Sequence, residues 1–436
     1  MPAKRDPDLM ATRPDFATRV MVVLAWIVTA ATLIVPLAAA PDLLDRFRIL
    51  KEAITRAEGI LGLFLIVVAT ALGNADRIRE MLRARAVVAI VIAGVVWTAV
   101  MTVTSSHRPS SIESLVSVIT SVLVFMTVWY AAPRLSLTIL DVLVPAVLIN
   151  TVFAALQEYG LYQPFYIDPL SYRHLSATAL IGNPNIVGSY MALAAIPLAT
   201  AAVRIHGWRR WWYTFGAFCA VSGVFVSRTT TAVIALMVGL AVLAFTLAAR
   251  RALAFALLLV LLFGIGYLSD MRVILRLVAL PERIATEGWE VASSGRMTPA
   301  LVALQMVRDH PVTGVGPGAY QFQYMSYQVR VRQQYGGRVR GVGATSFGEA
   351  HNDHLQLLAE TGLPGYLLFL GTLGILIRTA RRTAPTDERH GIARTMALPL
   401  AAAFAVLCLA QFPLHVAVTR QLLMTIAGLL VGWSRR

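Results

Sequence analysis

Apolar runs of membrane-crossing length alternate with short polar segments along almost the whole chain. A bilayer-spanning helix needs about 20 largely apolar residues. Twelve such runs can be marked, at 20–39, 54–72, 86–103, 112–132, 137–156, 186–203, 211–227, 229–249, 252–268, 363–377, 395–414 and 421–433. Those at 211–227, 363–377 and 421–433 are short. The pattern predicts an all-α polytopic membrane protein. The first run lacks a small-residue cleavage site, so the expectation is an uncleaved first span. One long polar segment, 269–362, separates the ninth and tenth runs and predicts a helical loop domain. The expected organisation is 1–268 with nine spans, 269–362, and 363–436 with three more.

Within the long segment, 297–308 places Leu301, Leu304 and Met306 near one helix face, with Pro299 in the first turn, where proline is tolerated. A second helix is expected over 351–361, with Gly362 as its C-cap and Pro364 just beyond.

Composition agrees with the pattern. The chain is 57% hydrophobic and 14% charged, whereas soluble globular proteins carry about 25% charged residues. Its two cysteines, Cys219 and Cys408, lie inside apolar runs, which excludes a disulfide framework or a thiolate metal site. The net charge of +15 has two readings, nucleic-acid affinity or membrane topology, and its distribution decides between them. With a cytoplasmic N-terminus, the inner segments hold 21 of the 38 basic residues and the short outer loops hold eight. The remaining nine fall in 269–362, to which the positive-inside rule does not apply. Both ends are therefore expected inside, the long loop outside, and no nucleic-acid partner.

The same parity gathers the unusual residues on the outer face: Gly182-Asn183-Pro184-Asn185, Arg228, Ser294-Gly295-Arg296, the turn from Gly314 to Tyr320, His351 and His415. Such convergence suggests an outward-opening polar cavity. Arg228 separates two apolar runs with almost no loop. It is either a snorkelling arginine or a cation aimed at an anionic group, since a guanidinium donates two parallel hydrogen bonds to phosphate. Arg296 opens the helix at 297, where free N–H groups and the helix dipole favour an anion; a solvated arginine beside an ordinary cap is the alternative. Gly314-Val315-Gly316-Pro317-Gly318 follows no strand of a βαβ unit, so it reads as a tight packing turn rather than a nucleotide loop.

His351-Asn352-Asp353-His354 invites a metal reading, but no third and fourth ligand stands at a recognisable spacing. A neutral His351 in a polar cavity is a sound general base, while a helix-capping role is the structural alternative. From Tyr324 to Arg340, Tyr324, Tyr327 and Tyr335 interleave with Arg330, Arg332, Arg338 and Arg340. That mixture suits sugar rings and their phosphates, or simply a solvated face.

These residues resemble a known family. His351-Asn352, nine residues, then Gly362-Leu363-Pro364-Gly365 resembles the signature shared by O-antigen ligases and bacterial O-linked oligosaccharyltransferases. The segment from His310-Pro311 to Tyr320 is similar to the turn upstream of it. Ser294-Gly295-Arg296 and Ser227-Arg228 match its arginine motifs, and Gly182-Asn183-Pro184-Asn185 its earlier loop motif. The resemblance implies a bacterial inner-membrane, multi-pass glycosyltransferase of lipopolysaccharide biosynthesis, akin to the C-type membrane glycosyltransferases. It further implies an undecaprenyl-diphosphate-linked O-antigen donor, a lipid A–core acceptor, a periplasmic site, inversion at the anomeric carbon, and neither metal nor cofactor. In those terms His351 is the catalytic base, and Arg228 and Arg296 bind the diphosphate. Asn183, Asn185, Asn352, Tyr320, Arg338 and Arg340 are candidates to line the substrate cavity, with membrane lipids as surroundings. O-antigen polymerase or protein O-oligosaccharyltransferase are alternatives within the superfamily, and a polysaccharide or lipid transporter is the non-enzymatic one.

Overall fold

The computed structural model describes residues 16–40, 43, 45–72, 75–162, 177–247, 275, 278–335, 347–382 and 387–434. Among them run fifteen helices. The first nine are α1 (Phe16–Ile34), α2 (Ile49–Ala71), α3 (Ala75–Leu82), α4 (Arg85–Thr104), α5 (Arg108–Leu135), α6 (Thr138–Glu158), α7 (Pro184–Arg204), α8 (Trp208–Val226) and α9 (Thr230–Leu247). Then follow α10 (Leu280–Ala292), α11 (Met297–Asp309), α12 (Tyr320–Tyr335), α13 (Asp353–Arg382), α14 (Glu388–Cys408) and α15 (Ala417–Trp433).

Eight of these, α2, α4, α5, α6, α7, α9, α13 and α14, are long and apolar enough to cross a membrane, and two shorter apolar helices lie in α1 and α15. The chain is a polytopic α-helical membrane protein. The helix α8 opens on Trp208-Arg209-Arg210-Trp211-Trp212 and is not among the eight. The span expected at 252–268 lies outside the described residues.

Two local devices show how the bundle is assembled. In α5, Pro133 has no N–H for the carbonyl of Trp129 one turn earlier. Arg77 of α3 supplies the missing donors, from Nη2 to Trp129 O at 2.8 Å and from Nε to Tyr130 O at 3.3 Å. Between α5 and α15, Gly428 and Gly432 lie four apart on one face. A Cβ on either would stand 2.7 Å from Val128 or 2.2 Å from Ala132. Bare backbone thus lets two helices touch where apolar burial against lipid contributes little.

The helix expected at 351–361 and the span at 363–377 meet within α13 at a kink, where Gly362 leaves helical geometry (φ 66°) and ends the first helix as expected of it. Three carbonyls freed there find new donors, as buried backbone requires. Ala359 O accepts from Val315 N–H at 2.9 Å, and Glu360 O accepts from Gly316 N–H at 3.0 Å. Thr361 O accepts from Trp97 Nε1 of α4 at 2.9 Å. The Leu363 N–H turns to Pro311 O at 2.9 Å. A second buried core, apart from that of the bundle, joins α11, α12 and the start of α13 through Val302, Met306, Tyr320, Tyr324, Val331 and Ala359.

Candidate functional site

The glycine turn ties that second core to the bundle. Gly314, Gly316 and Gly318 all have positive φ, and a Cβ on Gly314 would lie 2.4 Å from the Glu360 carbonyl. Gly318 N–H donates to Glu360 Oε2 at 2.8 Å, and Ser106, between α4 and α5, donates from Oγ to Val315 O at 3.0 Å. The turn's donors therefore serve packing.

His351 stands just before α13, not on it. Its φ is 53°, and the helix begins at Asp353. The capping role falls to Asn352, whose Oδ1 accepts from Leu355 N–H at 3.0 Å. The His351 ring packs edge-on against Phe347 at 5.8 Å and Phe412 at 5.0 Å, with Nδ1 buried and without a hydrogen-bond partner among the described residues. Burial first, and the nearby Arg296 guanidinium second, push its pKa down to about 4. It is a neutral ring with an open acceptor or donor.

His354 points elsewhere. Its Nδ1 lies 3.2 Å from Tyr366 Oη and its Nε2 3.1 Å from Ala405 O. The two histidines do not share a helix face, because His351 stands before α13 and His354 lies in its first turn.

Arg296 follows two left-handed residues, Ser294 and Gly295, and opens α11. The expectation of free N–H groups there fails. Ser293 Oγ accepts from Met297 N–H at 3.2 Å and Glu290 Oε2 accepts from Thr298 N–H at 3.0 Å, so the protein's own carboxylate already sits at the helix dipole. The guanidinium itself is half-buried and has no carboxylate within ion-pairing reach among the described residues. Burial lowers its pKa.

Arg228, with φ 54° between α8 and α9, forms an ion pair with Glu158 at the end of α6. Beside it, Asn183 caps α7 by accepting from Asn185 N–H at 2.8 Å, and Thr229 Oγ1 donates to Pro184 O at 3.1 Å. Among the described residues no hydrogen bond or ion pair links Arg228 to Arg296 or His351. The two groups approach through Phe412, which touches His351 and also lines a small cavity with Ile186 and Ser189 of α7.

Tyr320 is fully buried and donates to Pro299 O at 2.9 Å, so it belongs to the second core rather than to a cavity wall. Tyr324 and Tyr327 join it there, and Arg330 pairs with Asp309 at 2.7 Å over the Tyr327 ring. The aromatic–arginine stretch is an amphipathic helix on its own core. Arg338 and Arg340 lie outside the described residues.

Sequence reading missed a cavity of about 580 Å³ between α2, α4, α5, α13 and α15. Its lining mixes apolar residues, among them Val91, Val118 and Phe125, with charged ones. There Arg48 faces Glu349 at 3.9 Å, Arg56 faces Glu113 at 4.0 Å, and Arg420 binds Glu52 at 2.6 Å. Gln356, Glu360 and His415 also line it. Charges inside the apolar runs, Arg56 in 54–72 and Glu113 in 112–132, were its visible signal.

Residues 215–370 match the family model described as O-antigen ligase, a stretch that includes Arg228, Arg296, the glycine turn and His351. No curated protein matches the chain.

Proposed function

From the match of residues 215–370 to the O-antigen ligase family model, we propose that the chain transfers a glycan from undecaprenyl diphosphate to the lipid A–core oligosaccharide at the periplasmic face of the inner membrane. The observation that carries this reading is the buried, unpartnered Nδ1 of His351 in the field of the unpaired Arg296.

The acceptor hydroxyl gives its proton to His351 while its oxygen attacks the anomeric carbon. The bond from that carbon to the diphosphate oxygen breaks, and attack opposite the leaving group inverts the centre. Arg296 takes up the negative charge of the departing diphosphate. Arg228 joins it by exchanging Glu158 for phosphate. The polyprenyl chain lies among the apolar helix faces.

One observation favours a second acceptor, a growing glycan chain. Each guanidinium lining the large cavity already faces a carboxylate, which suits a hydroxyl-rich head better than a strongly phosphorylated one. Reconstitution with lipid-linked glycan and a choice of lipid A–core, free glycan or protein separates these readings. Transfer to lipid A–core supports the ligase. Transfer only to glycan or protein moves the chain to another branch, and no transfer to any of them rejects the enzyme.

A further inference from the structure

Asp353 was singled out by nothing in the sequence, yet its carboxylate is fully buried beside the candidate base. Its Oδ2 accepts from Leu414 N–H at 2.9 Å, and its Oδ1 lies 2.7 Å from His415 Nδ1. Both partners belong to the loop between α14 and α15, the loop whose Phe412 packs on the His351 ring. On the other side of His351, Ala350 N–H donates to Gln356 Oε1 at 2.8 Å. Gln356 Nε2 donates to Glu360 Oε1 at 3.2 Å and stands 3.2 Å from His415 Nε2. That last approach completes the ring by packing: burial lowers the His415 pKa, but the Asp353 and Glu360 carboxylates outweigh it and raise the pKa to about 9, which makes both nitrogens donors. Ala350, Asp353 and Gln356 are all buried.

We infer that Asp353, His415 and Gln356 are positioning residues, a closed circuit that grips the chain on both sides of His351 and holds it in its left-handed conformation. A residue other than glycine keeps such a conformation only where its surroundings over-determine it. Here the circuit supplies that constraint from residue 350 upstream and from residue 353 downstream. Among the described residues none of the three hydrogen-bonds Arg296 or Arg228, although Gln356 and His415 also line the large cavity, so losing the circuit should disturb the base while leaving the proposed donor cations in place. The consequence for catalysis rests on the reading of His351 as that base; the circuit itself does not.

The test compares the full-length protein with His415→Ala, Asp353→Asn and His415→Asn. Asparagine at 353 offers one acceptor where Leu414 and His415 need two. Asparagine at 415 can still donate to Asp353 from near the position of Nδ1. Backbone hydrogen exchange is followed across 347–356, and steady-state transfer is measured with a lipid-linked glycan. In His415→Ala and Asp353→Asn, exchange should rise in that peptide and stay unchanged in α5 and α15. Misplacing a reacting group lowers turnover steeply, so kcat should fall about tenfold or more. Donor KM should stay within about twofold, as expected where ground-state binding is intact. His415→Asn should recover most of both.

Unchanged exchange in His415→Ala overturns the circuit. Faster local exchange with undiminished kcat upholds the circuit and overturns His351 as the base. If His415→Ala unfolds globally, the two asparagine variants decide, and equal behaviour of the two overturns the proposal.

Discussion

The surroundings of His351 predict an unusual acid limb for the transfer reaction. Burial and the Arg296 field take its pKa from the ordinary 6.5 to about 4. That difference corresponds to about 3 kcal/mol against the imidazolium. At pH 5.5 an ordinary histidine is about nine-tenths protonated and useless as a base, whereas one titrating near 4 is only about 3% protonated. Initial rates of glycan transfer from pH 4 to 8 give kcat/KM, which reports the free enzyme. The profile should stay flat down to about pH 5 and fall near 4. The sign for stability is the same. The unfolded chain binds the proton near 6.5 and the folded one only near 4, so stability declines as pH drops between them, by about 3 kcal/mol in full. Short assays with a parallel unfolding measurement keep the two losses apart. A limb near 6.5 in folded protein would refute this account of the site.

Replacing His351 by Asn should lower transfer by about 10²–10⁴, because the capping task belongs to Asn352; near-normal turnover would end its assignment as the base. Arg296→Lys should reduce kcat more than its conserved charge suggests, since an ammonium loses the two-pronged grip on a diphosphate, and unchanged kinetics would leave it an ordinary arginine. Gly362→Ala should cost about 2–4 kcal/mol in thermal unfolding, because the added Cβ would meet Val312 O at 2.0 Å with φ at 66°; a stable variant would mean the helix can straighten. Transfer should persist in EDTA, and activity lost and then restored by one divalent ion would return His354 to consideration as a ligand.

Much of the bundle was legible because crossing a bilayer demands long apolar runs, and α2, α4, α5, α6, α7 and α9 lie where such runs fall. The helix at 297–308 was equally plain, because Leu301, Leu304 and Met306 repeat with helical spacing. The start of α13 was not, since nothing in His351-Asn352-Asp353 announces that the first residue is left-handed and the second is the cap. In α12 the spacing of Tyr320, Tyr324, Tyr327 and Val331 did announce a packed face, but the interleaved arginines drew attention to ligand chemistry instead. The carboxylate of Glu290, eight residues from the N–H it caps, and the cavity lining, drawn from Arg48 to Arg420, depend on tertiary approach that no local pattern encodes.

The field of Arg296 at His351 also acts in the opposite direction. Coupling between two charged sites is reciprocal, so an anion settling on Arg296 raises the proton affinity of His351. If Arg296 holds the donor diphosphate as proposed, the base would strengthen when the donor arrives, while burial, the larger cause, would still hold its pKa down. In that proposed reaction, the imidazolium formed by proton transfer would add a second positive charge beside the diphosphate until that proton leaves. Product release would then be timed by deprotonation, and a solvent deuterium effect on a burst-phase assay would make that clock visible.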